Sequence, residues 1–280
     1  MTDLHAVTVA TAVASDVGLV RRANEDSALA EWPVFLVADG MGGYEAGDRA
    51  SAAVVEAFRR HVAGRPYATV ASVRDALSAA ADEVAKVAAE TDRGAGSTVT
   101  GVVLIEDEDE GEPAWLVFNV GDSRVYRHHG TELEQLTIDH SLGQELIDRG
   151  AMRREDLASF DRRNVITRAI GAPDSTADSW LLPVVNGERL LLCSDGLTAE
   201  VSDEGIRATL TMSGRPESAA QALVQRARQA GGRDNITVVV VDVISGGIEE
   251  LGDGTTSIRP AADGEAADDH TTIPVRRAAS

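Results

Sequence analysis

Thr98-Val99-Thr100-Gly101-Val102-Val103-Leu104-Ile105, followed after an acidic run by Ala114-Trp115-Leu116-Val117-Phe118-Asn119-Val120, is the stretch that decides the fold. Both segments are short, apolar and rich in β-branched and aromatic residues, which suit a buried, pleated surface. Ser123 to Arg127 and Glu132 to Leu136 continue the strand pattern, and His128-His129-Gly130 reads as the hairpin turn between them. The acidic run Glu106 to Glu112 reads as a solvated hairpin tip, because it lacks the alternating oxygens and sharp glycine turn of a calcium loop. Strands here follow strands, and on either side helices follow helices. Ala46 to Val62 and a segment after Pro66, with its stripe Val70, Val73, Ala76, Leu77, Ala80, Val84 and Val87, form one helical pair. Asp203 to Met212 and Pro216 to Ala230 form another. Further strands are expected at Thr8 to Ser15, Val34 to Asp39, Val165 to Ile170, Arg189 to Ser194 and Ile236 to Val243, with a short helix at Ser141 to Arg149. Segregated strands and helices indicate an antiparallel α+β fold and no βαβ repeat.

The 280 residues are 43% hydrophobic and carry a formal charge of −20. A sizeable core is affordable, and a nucleic-acid binder, which needs a basic surface, is excluded. The single cysteine, Cys193, lies within an apolar run and reads as a buried small hydrophobe. No apolar run approaches the roughly 20 residues needed to cross a bilayer, and no secretion signal is visible at the N-terminus. A soluble, cytoplasmic protein that does not engage membranes is expected. Residues 1–245 read as the folded domain, and 246–280, rich in Gly, Ala, Asp and Thr, as a disordered acidic tail. The tail's Thr255-Thr256 and Thr271-Thr272 pairs are candidate phosphorylation sites.

Four acidic clusters punctuate the chain: Asn24-Glu25-Asp26, Asp39-Gly40-Met41-Gly42-Gly43, Ser194-Asp195-Gly196 and Arg233-Asp234-Asn235. Taken singly, an Asp-Gly after a strand is a turn, since aspartate caps its own backbone and glycine accepts positive φ. Asp39, Asp195 and Asp234, however, all abut short apolar β segments. Carboxylates delivered by strand ends suit hard divalent cations such as Mg²⁺ or Mn²⁺. Three of them together stay ionised in an interior only with cations present, and a pair of such ions lowers the pKa of a shared water for in-line attack on phosphorus. Arg21, five residues before Asp26, is the candidate phosphate donor, its guanidinium matching phosphate oxygens in bidentate fashion.

These residues carry a resemblance. Ser15-Asp16-Val17-Gly18-Leu19-Val20-Arg21-Arg22-Ala23-Asn24-Glu25-Asp26 resembles the opening motif of the metal-dependent Ser/Thr protein phosphatases, the type 2C or PPM family. Val37 to Gly43, Gly96-Ser97-Thr98, Asn119 to Arg124, Asp139-His140-Ser141, Asn164 to Gly171, Leu192 to Leu197 and Arg233 to Thr237 match in family order, so the resemblance spans about residues 5 to 243. It implies a β-sandwich of two antiparallel sheets flanked by pairs of helices, with the metal centre in a cleft at one end. By the same resemblance Asp39 bridges two metals, with the Gly40 carbonyl helping to hold one, and Asp195 and Asp234 complete the other. Asp26 acts near the second metal through water, and Asp122, with Asp195, holds a third, weaker ion. Arg21 grips the phosphate, and a metal-bridging hydroxide attacks without a phosphoenzyme.

Two departures stand out. Met41 occupies the position where many eukaryotic members carry a histidine, as in the bacterial branch; His140 is read as an organiser of its own loop. The flap segment Leu142 to Arg163 has Phe160-Asp161-Arg162-Arg163-Asn164 where bacterial relatives show a His-Pro pair. The resulting expectation is a monomeric bacterial phosphatase with two tightly bound Mn²⁺ or Mg²⁺ and a possible weaker third. It would act on phosphorylated proteins, namely a partner Ser/Thr kinase and that kinase's substrates. A catalytically weak phosphoprotein-binding regulator and a small-molecule phosphoesterase are the alternatives.

Overall fold

The computed structural model describes residues 7–42, 46–106, 112–163, 165–249 and 275–277. Its first half runs β1 (Thr8–Asp16), β2 (Asp26–Glu31), β3 (Val34–Gly42), α1 (Ala46–His61), α2 (Val70–Ala89), β4 (Ala95–Ser97), β5 (Val99–Glu106) and β6 (Pro113–Val120). β7 (Arg124–His129), β8 (Glu132–Gln135), α3 (Leu142–Asp148), a 3-10 turn (Arg154–Ser159), β9 (Asp178–Pro183) and β10 (Arg189–Cys193) follow. The last elements are α4 (Asp195–Thr198), α5 (Asp203–Met212), α6 (Pro216–Ala230), β11 (Ile236–Ser245) and β12 (Val275–Arg277).

The strands form two sheets. One has the order β1-β11-β10-β7-β8; the other has β12-β9-β6-β5-β3-β2, with β4 paired to β3. Pairing among them is antiparallel except for β12, which lies parallel to β9. The central stretch forms the β5–β6 and β7–β8 hairpins, but β7 runs on through His128 and His129, which pair with Leu133 and Glu132, so the turn falls at Gly130-Thr131 and not at His128-His129-Gly130. Three apolar layers hold the sandwich. Phe35, Val37, Trp115, Trp180, Leu190 and Val239 fill the space between the sheets. Val54, Phe58, Val73, Leu77 and Val84 pack α1 and α2 on the larger sheet, and Ile206, Leu210, Leu223 and Val224 pack α5 and α6 on the smaller. Strands such as β10 and β11 are therefore buried on both faces, which explains their unbroken apolar runs. Phe58 stacks on Phe118 at 5.0 Å, and only a glycine leaves room beneath that ring, since a Cβ at Gly101 would sit 2.4 Å from Phe118 Cζ.

Local signals place the helices. The Thr69 hydroxyl accepts from Ser72 N and the Ser72 hydroxyl from Thr69 N, a reciprocal cap contributing about 1 kcal/mol at the start of α2. The buried face of α2 is the stripe expected from its spacing. Cys193 is fully buried, and burial pushes its thiol up to about 12, which suits a packing role.

The structure departs from the sequence reading in five strands, two of them the short β4 and β12, the latter paired with β9 inside the segment expected to be a disordered tail. Val165 to Ile170 is a loop, because its backbone groups bond successively to Leu142, His140 and Ser97 instead of to one neighbour. β2 and β9 were not anticipated. β2 reads Asp-Ser-Ala-Leu-Ala-Glu, with little β-propensity of its own, and is held by its pairing with β3. β9 pairs antiparallel with β6. Most of the acidic run (107–111) and most of the expected tail (250–274 and 278–280), both threonine pairs included, lie outside the described residues. Within that tail, Ile248 donates its N–H to Val184 O and accepts from Asn186 N.

Candidate metal centre

Five carboxylates reach one end of the sandwich, and the strand ends explain how. Asp26 and Asp39 are direct partners in the β2–β3 register. Asp39 lies near the end of β3 and is clamped through its backbone: its N–H donates to Thr98 Oγ1 at 3.0 Å, and its carbonyl accepts from Thr98 N at 2.8 Å and Ser97 Oγ at 3.1 Å. Thr98 Oγ1 is shared with Ser123 Oγ at 2.8 Å, which ties this clamp to the turn bearing Asp122. Gly40 donates its N–H to Glu25 O, and a Cβ there would lie 1.9 Å from Gly47 O, so the first turn of α1 presses directly on it.

Asp195 opens α4 after Ser194 ends the run of β10, and Asp234 stands with Asn235 just before β11, the strand paired with β10. Gly196 lets the two ends meet, because a Cβ would fall 1.9 Å from Asn235 O. The Asn235 amide is fully engaged: Oδ1 accepts from Glu25 N at 2.8 Å, and Nδ2 donates to Val17 O and Ala23 O. One side chain thus fixes the Val17–Glu25 loop against β11. The Ser194 hydroxyl donates to Asp26 Oδ2 at 2.8 Å and accepts from Thr237 N at 3.0 Å.

Burial and mutual repulsion dominate the electrostatics. Burial, assisted by the charges of Asp195 and Asp234, pushes Asp26 up to about 7 despite the Ser194 hydrogen bond. Asp195 is pushed up to about 6 by burial and Asp234, against the stabilising Asp39, Arg21 and Arg124. Asp39 is raised well above the carboxylate range by burial and by Asp26, Asp195, Asp122 and Asp234. Asp122 is raised likewise, by burial with Asp195 and Asp139. Asp26 Oδ1, Asp122 Oδ1 and Asp195 Oδ1 are buried with no hydrogen-bond partner. Orphaned anionic oxygens cost several kcal/mol each unless a cation satisfies them. Among the described residues no three His, Cys, Asp or Glu side chains are already gathered tightly enough to clasp an ion. The fit to a divalent cation therefore rests on the donor chemistry, all hard oxygen, and on those three unsatisfied atoms.

Arg21 stands at the rim, about half exposed, its Nη2 donating to Asp234 Oδ2 at 2.7 Å. Asp26, Asp39, Asp122, Asp195, Asp234, Gly40 and Arg21 are thus brought to one region, linked by contacts and shared fields. Met41 lies beside them in β3, opposite Gly96, with no titratable group. His140 is buried: its Nδ1 accepts from Gly121 N at 3.1 Å and its Nε2 meets Asp178 Oδ2 at 3.2 Å, so it braces the turn before Asp122. The flap segment holds α3 and the 3-10 turn, with Gly143 packed under Leu157.

Sequence reasoning missed the supporting polar residues. Ser194, Thr98 and Asn235 stood in the quoted motifs but were given no role; their signal was a polar side chain at the end of an apolar strand. Arg124 makes a partly buried fork to both oxygens of Asp139, at 2.6 to 3.1 Å, and also reaches Tyr126 Oη. That pair links two motifs separated by fifteen residues and shapes the field at Asp122.

Known proteins are similar to this chain in sequence and in fold. The Mycobacterium tuberculosis serine/threonine protein phosphatase PstP is 36% identical over 266 residues, which cover 94% of this chain and 49% of that protein. The chain therefore spans about half the length of this relative. A Listeria monocytogenes serine/threonine phosphatase, stp, is 33% identical, with 81% of this chain and 93% of the relative covered. The crystal structure of PstP/Ppp superimposes with a TM-score of 0.78 at 35% identity, covering 85% of this chain and 100% of that one. The PstP catalytic domain in complex with two manganese ions gives 0.76 at 34% identity, over the same shares of the two chains. The protein phosphatase 2C family description matches residues 22–231, which include Asp26, Asp39, Asp122 and Asp195. With that match added to the sandwich and its carboxylate cluster, the chain belongs to the protein phosphatase 2C family.

Proposed function

We propose that this chain hydrolyses phosphoserine and phosphothreonine in proteins, using two tightly held Mn²⁺ or Mg²⁺ ions and a weaker third. The observation that carries the reading is the set of buried, unpartnered oxygens on Asp26, Asp122 and Asp195 within a five-carboxylate cluster. Asp39, Asp195 and Asp234, with the Gly40 carbonyl, would hold the two tight ions, Asp26 would assist beside them, and Asp122 with Asp195 would hold the third. Divalent ions held there would neutralise the cluster and supply an acidified water for attack on phosphorus.

The chain's own groups do the rest. Ser194 fixes the orientation of Asp26 through its hydroxyl. Asn235 holds the loop that puts Arg21 at the rim. Arg21 is bound by a single, half-exposed ion pair worth about 1 kcal/mol or less, so its guanidinium can exchange Asp234 for a phosphate oxygen. Met41 offers no proton to the leaving alcohol. The mycobacterial and Listeria relatives, named as serine/threonine phosphatases, support phosphoproteins as the substrate class. A Ser/Thr kinase and its targets are the proposed partners, and a monomer the proposed state.

Hydrolysis of an aryl phosphate and of a phosphothreonine peptide, with Mn²⁺ and then with chelator, tests this. Metal-dependent turnover of both, abolished in Asp195→Ala, is expected. No metal-dependent turnover, or full activity in Asp195→Ala, refutes the enzyme; turnover of the aryl phosphate alone favours the small-molecule alternative.

A further inference from the structure

The loop that carries Arg21 also displays two adjacent apolar side chains: Leu19 is 60% exposed and Val20 66%. Single exposed aliphatics are ordinary on any surface. These two differ because the backbone beneath them is fixed and cannot fold them inward. Leu19 N–H donates to Gly232 O at 2.6 Å, and Gly18 N–H donates to Asp16 Oδ1 at 2.8 Å. Gly18 has φ +79, and a Cβ on it would lie 2.2 Å from Asp234 O, so the loop is pressed against the residue that receives Arg21. On either side, Val17 O and Ala23 O are both held by the Asn235 amide. A rigid loop thus presents an aliphatic pair, then the Arg21 guanidinium, then the exposed Arg22.

We infer that Leu19 and Val20 determine substrate specificity, forming an apolar seat for a side chain that flanks the phosphorylated residue. The site then favours phosphopeptides with an aliphatic or aromatic neighbour over those with a polar or acidic one. This rests on the phosphatase reading and on Arg21 as the phosphate ligand. Val20 and Leu19 stand one and two residues before Arg21 in the same loop, and in an extended peptide a residue one or two positions from the phosphoresidue lies within about 7 Å of it. Charge favours a phosphopeptide over a lipid surface: a chain of net charge −20 is repelled by anionic bilayers, whereas one phosphate needs only the local arginines.

The test compares phosphothreonine peptides that differ only in carrying Leu or Ser at the flanking positions. Each protein's kcat/KM values are normalised to its own aryl phosphate turnover. The wild type should prefer the Leu peptides by about 5- to 10-fold, the worth of partly burying one aliphatic side chain, and the preference should lie in KM. Leu19→Ser with Val20→Ser should erase it, and Leu19→Ile with Val20→Ile should retain it. A flat wild-type preference, or one that survives the serine pair, overturns the inference while leaving metal-dependent turnover intact. Failure of aryl phosphate turnover instead refutes the phosphatase reading. The same peptide comparison by fluorescence anisotropy on the wild-type protein then still decides the seat, since equal affinity for Leu and Ser peptides overturns it. Cosedimentation of the wild type, but not the serine pair, with phosphatidylserine–phosphatidylcholine vesicles would assign the loop to a lipid surface and overturn it too.

Discussion

Stripped of divalent cations, the carboxylate cluster should make the fold lose stability as pH rises, and the structure sets the size of that loss. Asp26 is pushed up to about 7 and Asp195 to about 6, each from an ordinary 3.8. A carboxyl whose folded-state value is raised holds its proton better in the folded protein. Its contribution is therefore complete below the unfolded value and drains away as pH climbs to the folded value. Between about pH 5.5 and pH 8, Asp26 titrates over about 1.5 units and Asp195 over about half a unit, which at about 1.4 kcal/mol per unit is a loss near 3 kcal/mol. Asp39 and Asp122 are shifted in the same direction. Buried Glu188, pushed up to about 7 by burial against its Trp115 and Val185 hydrogen bonds, adds about 2 kcal/mol in the same window, remote from any cation. At about 2 to 4 °C per kcal/mol, the cluster's share alone is a drop of about 6 to 12 °C in Tm.

Thermal unfolding followed by fluorescence or calorimetry, in chelator and in Mn²⁺ at both pH values, separates the shares. Mn²⁺ should abolish the cluster's part and leave that of Glu188, which should vanish in Glu188→Gln. Asp26→Asn, whose amide oxygen still accepts from Ser194, should cut the chelated protein's metal-sensitive loss to about 1 kcal/mol. A chelated protein whose Tm is flat or rises from pH 5.5 to 8, or whose fall is untouched in Asp26→Asn, would refute the reasoning.

Asp122→Ala should depress turnover while calorimetric titration still finds two tight Mn²⁺ sites; loss of both would contradict a third-ion role. Asn235→Ala removes three hydrogen bonds from the Arg21 loop and should cost about 2 to 3 kcal/mol in denaturant unfolding while raising KM for phosphopeptides. An unchanged KM would free Arg21 from dependence on that clamp. Gly196→Ala drives a methyl into Asn235 O and should cost about 3 kcal/mol or more and nearly all activity, by parting Asp195 from Asp234. Wild-type kinetics in that variant would show that the two strand ends need not touch.

Some of this was legible one residue at a time. The β5–β6 pattern, the α2 stripe and the apolar strand ends before Asp39 and Asp195 follow from periodicity, which depends only on neighbours along the chain. Val165 to Ile170 has strand-like composition and yet forms no strand, and which distant segment pairs with β6 is not written in the local pattern. β2 is a strand only because β3 pairs with it. At the candidate metal centre, residue types and order gave the carboxylates and Arg21. Convergence of Asp26 with Ser194, the meeting of Gly196 with Asn235, and the Arg124–Asp139 fork did not follow, because each joins segments of separate strands.

The sequence by itself determined the alphabet of this protein: apolar β segments, amphipathic helical pairs, and hard oxygen donors placed at strand ends. Only the tertiary structure decided that Asp26, Asp122 and Asp195 would share one buried field and each leave an oxygen unpaired. It likewise decided that Leu19 and Val20 would be pinned open beside Arg21. Burial and mutual repulsion are properties of the assembled interior, and no local pattern along a chain encodes them.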